Sequence, residues 1–125
     1  MKSRQNLVRL KQFQVNEKRR QLAQLDMMIA EFDRMAAELD LQIAAEEKKA
    51  GITDISHFAY PTFAKAARQR RDNLRNSQLD LQQQKAAAAA ALAEAEEELA
   101  KAEMLETRDA RGQAGDGAGR QAAFN

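Results

Sequence analysis

The chain has no cysteine and no tryptophan, one proline, one histidine and one tyrosine, and four of its five glycines lie beyond Arg111. Without cysteine there is no disulfide, no thiolate metal site and no thiol nucleophile, a composition that fits a reducing cytosol. His57 has no second histidine or cysteine beside it and no helical carboxylate pair at ligand spacing, which disfavours it as a metal ligand or general base. No run approaches the roughly 18 apolar residues of a membrane span, and the opening MKSRQNLVRLKQFQ lacks the continuous apolar core of a signal peptide. The chain therefore reads as cytoplasmic and soluble, without membrane insertion. Glycine-rich phosphate loops, GKS or GKT, HExxH and nucleophile elbows are all missing. Glu96, Glu97 and Glu98 are consecutive on a solvated helix, so they point in different directions and cannot form an acid/base pair. The expectation is a non-enzymatic protein with no catalytic residue, metal or cofactor.

What is present is helix-forming. The Ala, Glu, Gln, Lys, Leu and Arg that dominate the 125 residues favour long helices over sheet. Alanine inflates the 44% apolar share, leaving little bulk for a two-layer core and making a coiled coil the better fit. The chain is punctuated once, at residues 51–61, GITDISHFAYP: Gly51 can adopt the left-handed conformation that closes a helix, and Pro61 suits the start of the next. Helices are expected over about 3–49 and 62–108, each about 70 Å long by helix rise. The fold class is all-α: a long antiparallel two-helix coiled-coil hairpin over 1–110, followed by a disordered C-terminal tail at 111–125. That tail, glycine-rich and aperiodic, offers little to offset the entropy of ordering it.

In the first helix, Leu22, Leu25, Ile29, Phe32, Ala36, Leu39 and Ile43 alternate spacings of three and four, the stripe of a coiled-coil seam. Extended backward, the seam passes through Lys18, Val15, Lys11 and Val8 and becomes mixed, while Leu7, Leu10 and Phe13 fall off it. Those three either face another partner or belong to a frayed end. The second seam is expected at Phe63, Ala67, Arg70, Leu74, Ser77 and Leu81, stepping by four to Lys85 and resuming at Ala88, Leu92, Ala95, Leu99 and Ala102. Two successive fours make a stutter that would unwind the supercoil locally. Seams thinned by Lys11, Lys18, Arg70 and Lys85 predict marginal stability and hence a partner or a dimer.

Phe58, Tyr60 and Phe63 are three of only six aromatics and gather at the turn. They form either an interaction site or a plug that closes the coil, with Phe63 opening the second seam and Tyr60 on Pro61. Charge sets the pairing. Residues 1–20 hold seven Lys or Arg and one Glu, whereas 26–47 hold seven acids and one Arg. In the second helix, 64–85 hold six bases and two acids, and 91–109 hold seven acids and two bases. Folding near residue 55 sets each basic block against an acidic one, so the helices run antiparallel. Arg68, Arg70, Arg71 and Arg75 could track phosphates, but a net charge of +1, opposing acidic blocks and the lack of interleaved aromatics disfavour nucleic acid.

The opening MKSRQNLVRLKQFQVNEKRRQLAQLDMMIAEFDRM, the segment AAEEKKAGITDISHFAYPTFAKAARQRRDNL and the two-helix layout resemble the FliJ family of the flagellar type III export apparatus, in its shorter alphaproteobacterial form. The likeness covers about residues 1–105, and HFAYPT leading into RRDNL is its most specific part. The resemblance implies a non-enzymatic stalk, similar to that of rotary ATPases. Such a stalk sits in the ring of the flagellar export ATPase, couples it to the membrane export gate protein and handles export chaperones, at the cytoplasmic side of the flagellar base. It further implies that the end bearing the termini, with Arg4, Leu7, Arg9, Leu10, Phe13 and Arg19, meets the ATPase ring. The hairpin turn, with Phe58, Tyr60 and Phe63, then meets the gate. A structural coiled-coil adaptor unrelated to export is the alternative, and a nucleic-acid-binding hairpin the less favoured one. The polyalanine run at 86–91 and the glycine-rich tail depart from the family pattern.

Overall fold

The structure, a computed structural model, describes the backbone of residues 2–124 and the side chains of residues 2–112. It consists of two helices, α1 (Lys2–Ala50) and α2 (Thr62–Phe124), packed as an all-α antiparallel hairpin. From residue 113 onward the expected disordered tail lies outside the residues with described side chains. Within the described part, α2 continues through Arg111 and Gly112 rather than closing near Arg108. The reason is local: Leu105 and Asp109 are still half-buried there, and Asp109 accepts from Arg4 Nε at 3.1 Å.

The turn is built as the sequence chemistry requires. Gly51, with φ of 72°, is the residue just past the end of α1; its N–H and that of Ile52 both donate to the Glu47 carbonyl, at 2.8 and 3.2 Å. This pair of hydrogen bonds is that of a glycine-terminated helix, satisfying the Glu47 carbonyl that the helix end would otherwise leave unpaired. Asp54 Oδ1 accepts from the Ser56 N–H at 3.0 Å and from Ser56 Oγ at 2.7 Å, and these bonds lower the Asp54 pKa. Two turns follow, closed by the His57 N–H on Asp54 O at 3.1 Å and the Tyr60 N–H on His57 O at 3.0 Å. Pro61 precedes the first helical residue, its carbonyl accepting the first bond of α2 from the Lys65 N–H at 3.0 Å.

The chain divides into two compact units, one of residues 1–22 and 87–125, the other of residues 23–86, each holding a stretch of both helices. In the second unit Leu22's successors Leu25, Ile29, Phe32 and Leu39 are half-buried, and Ala36 and Ile43 are buried. In the first, Val15 is fully buried and Val8, Lys11, Lys18 and Leu22 are half-buried. The α1 seam is therefore the stripe read from the sequence.

The α2 seam is not. Its inward positions are Ala64, Ala67, Arg71, Leu74, Gln78, Leu81 and Lys85 in the second unit, then Ala88, Leu92, Ala95, Leu99 and Ala102 in the first. These alternate three and four throughout, so the expected stutter does not occur. The displacement starts at Tyr60, which is buried and sits four residues before Ala64, leaving Phe63 54% exposed. Arg70 and Ser77 are likewise exposed, and Arg71 and Gln78 take the seam positions assigned to them.

Among the described residues five of the nine that are buried are alanine, so the helices gain little apolar burial per turn. Polar seam residues find partners across the pair instead. In the first unit Lys11 Nζ meets Glu98 Oε2 at 2.8 Å. In the second, Lys85 meets Asp26 at 2.7 Å, Arg71 meets Asp40 at 2.9 Å and Arg75 meets Asp33 at 2.8 Å. There, too, Gln78 Nε2 donates to the Ile29 carbonyl at 3.2 Å while its Oε1 accepts from Arg75 Nη1 at 2.9 Å. Partly exposed ion pairs contribute little to stability, so their role is to fix direction and register. Among the described residues no buried side-chain nitrogen or oxygen lacks a hydrogen-bond partner.

Candidate partner-binding sites

The aromatics at the turn separate into an inward and an outward set. Tyr60 is 8% exposed and is the plug. Its hydroxyl donates to Glu47 Oε1 at 3.1 Å and accepts from Arg68 Nε at 2.8 Å, while Arg68 Nη2 reaches the same Glu47 oxygen at 2.7 Å. The Arg68 guanidinium carbon also lies 5.9 Å from the centre of the Tyr60 ring. Tyr60 thus joins the end of α1 to the first turns of α2, and its ring is not presented to a partner as the sequence reading supposed. Phe58 is the opposite case. It is 97% exposed, and its only aromatic neighbour among the described residues is His57, stacked at 4.7 Å with 22° between planes. His57 is itself oriented, because its Nδ1 accepts from the Ala59 N–H at 3.0 Å. Phe63 is half-exposed, neither plug nor seam, and Ile55 nearby on the loop is also exposed.

The arginine on Tyr60 and Glu47 also sets a charge state. The Glu47 pKa lies below its ordinary value of 4.5, chiefly because Arg68 donates to it, with the Tyr60 hydroxyl and the Arg71 charge adding to the effect. A carboxylate whose folded pKa is depressed contributes stability that is complete above the unfolded value and is lost as pH falls through the folded one. The melting temperature is therefore expected to drop as pH is lowered below about 4.5. Glu47→Gln should flatten part of that drop; an identical pH profile for this variant would dissociate the Glu47 cluster from acid stability.

At the end bearing the amino terminus, two of the three basic candidates are already paired within their unit. Arg4 binds Asp109 at 3.1 Å, and Arg19 lies 3.6 Å from Glu96. Arg9 is exposed and makes no ion pair among the described residues. Leu7 is half-buried, whereas Leu10 and Phe13 are 51% and 61% exposed. The outward residues of the set are thus Arg9, Leu10 and Phe13. Sequence reasoning missed Met104, 71% exposed on α2 between shallow clefts lined by Lys101, Leu105, Thr107 and Arg108. Its position two residues after the seam residue Ala102 was the available signal.

Of the four arginines considered for phosphate contact, Arg68, Arg71 and Arg75 pair with Glu47, Asp40 and Asp33. Among the described residues no group of three or more His, Cys, Asp or Glu could hold a metal ion. Among those same residues, no helix is long and apolar enough to cross a membrane. No family model, curated protein or solved structure matches the chain.

Proposed function

We propose that this chain is a non-enzymatic stalk and chaperone-handling component of the flagellar type III export apparatus, acting at the cytoplasmic face of the flagellar base between the export ATPase and the export gate protein. One observation carries the reading. The stretch HFAYPT leading into RRDNL, on which the resemblance to the FliJ family is most specific, spans the locked turn and the start of α2, with Glu47, Tyr60 and Arg68 closing the turn and Phe58 displayed outside. An antiparallel helix pair with an exposed aromatic at its turn suits a part that must connect two partners.

The ATPase half of the proposal is tested through the residues left outward on the first unit. Arg9→Glu is expected to weaken binding of the purified chain to the export ATPase about three- to tenfold and to reduce its salt sensitivity, because an exposed charge acts mainly through long-range attraction. Arg9 is the cleaner target than Arg4, whose reversal would also break the pair with Asp109. Circular dichroism should be unchanged. Binding with unaltered affinity and salt dependence would leave this surface a solvated face, and complete absence of ATPase binding by the unmodified chain would favour a structural adaptor.

A further inference from the structure

On the unit of residues 23–86, a cleft of about 430 Å³ runs between the helices, floored by Phe32, Met35 and Leu39 of α1 and Leu74 of α2, with Glu38 on one side and Arg70 on the other. Met35 is 38% exposed in it. Two features show what kind of object fits. First, α2 carries two overlapping ladders of three-and-four spacing that share Ala67, Leu74 and Leu81. One, completed by Ala64, Arg71 and Gln78, is used against α1; the other, completed by Phe63, Arg70 and Ser77, is exposed. A second ladder displaced by one residue is what a helix needs to contact two neighbours rather than one. Second, the sides differ in sign. On α1, Arg34 is shared between Glu31 and Glu38, leaving a net negative charge. On α2, Arg70 makes no ion pair among the described residues, although Arg68, Arg71 and Arg75 of the same block all do.

We infer that this cleft is the interface of a symmetric homodimer, with the second copy related by a two-fold axis running along the cleft. That operation lays α1 of each copy over α2 of the other in antiparallel sense. It seats Met35 and Leu74 against their counterparts, and brings each Arg70 to the partner's acidic side at Glu38. The interface is self-complementary, as a two-fold requires. An axis across the cleft would instead oppose α1 to α1 and set carboxylates against carboxylates. The inference stands apart from the export role, since it concerns a different surface from Phe58 and Arg9.

Sedimentation equilibrium of the full chain should show mass rising with concentration from 14.0 kDa toward twice that value. Arg70→Glu is expected to raise the dissociation constant about tenfold, and adding Glu38→Arg to restore it. Should Arg70→Glu lower helicity, Met35→Glu on the half-open floor must weaken the dimer on its own. Spin labels at Thr53 should report a short interchain distance, because the two turns lie side by side. A chain monomeric at every concentration, a dimer indifferent to Arg70→Glu and Met35→Glu, a charge swap that fails to restore association, or turns held far apart would each overturn the proposal.

Discussion

Replacing Tyr60 with alanine is expected to lower the stability of the unit formed by residues 23–86 by about 3 kcal/mol, the low end of the range for truncating a large buried aromatic. Several losses act together. The ring that closes the seam before Ala64 is removed, so the end of the helix pair opens to water. The hydroxyl that donates to Glu47 and accepts from Arg68 goes with it, leaving a partly buried ion pair with one fewer bond on each member. Tyr60→Phe separates these contributions: it keeps the ring and should cost about 1–2 kcal/mol, since the hydroxyl makes two hydrogen bonds, each with a usual net value of about 1 kcal/mol. At several degrees per kcal/mol for a unit of this size, thermal melting followed by circular dichroism resolves all three proteins. Phe58→Ala is the internal control, since a side chain 97% exposed has almost no packing to lose. Equal melting temperatures for Tyr60→Ala and Phe58→Ala would refute the assignment of Tyr60 as the plug.

That contrast marks where the sequence was legible. On α1 the seam could be read because it runs unbroken from Leu22 to Ile43 at spacings of three and four, whereas the overlapping stripe Leu25, Met28, Phe32, Met35 and Leu39 stops at Gln21 and Gln42. On α2 the pattern is degenerate. Ala67, Leu74 and Leu81 belong to both ladders, alanine discriminates weakly, and Phe63, the bulkiest residue at the helix start, points to the ladder that remains exposed. The choice is made by Tyr60, whose partners Glu47 and Arg68 lie 13 and 8 residues away along the chain, a relation that periodicity does not encode. Charge behaved similarly. The block pattern gave the antiparallel sense, realised in pairs such as Lys11 with Glu98 and Arg71 with Asp40. It could not tell which bases are engaged. Arg4 and Arg19 meet acids from the opposite helix, whereas Arg9 does not, because at 3.6 residues per turn its direction differs from theirs.

The remaining expectation concerns Phe58 alone. An aromatic ring held in the open by two successive turns and stacked on an oriented histidine retains its full apolar area for a partner and has few alternative conformations to lose on binding. If this turn docks on the export gate protein, burying the ring contributes about 1.5–3 kcal/mol, and Phe58→Ala should weaken gate binding roughly ten- to a hundredfold at about 1.4 kcal/mol per factor of ten. Melting temperature should not change. Phe58→Leu, which keeps most of the apolar area but cannot stack on His57, should fall between the two. ATPase binding, assigned in the proposal to Arg9, Leu10 and Phe13 of the other unit, should be the same for all three proteins. Tyr60→Ala gives the converse pattern, with a large stability loss and a binding defect that recovers at temperatures where the variant is folded. Isothermal titration with the purified gate protein, run beside thermal melts, distinguishes these outcomes. Undiminished gate affinity for a fully folded Phe58→Ala protein would remove the turn as the gate-binding site.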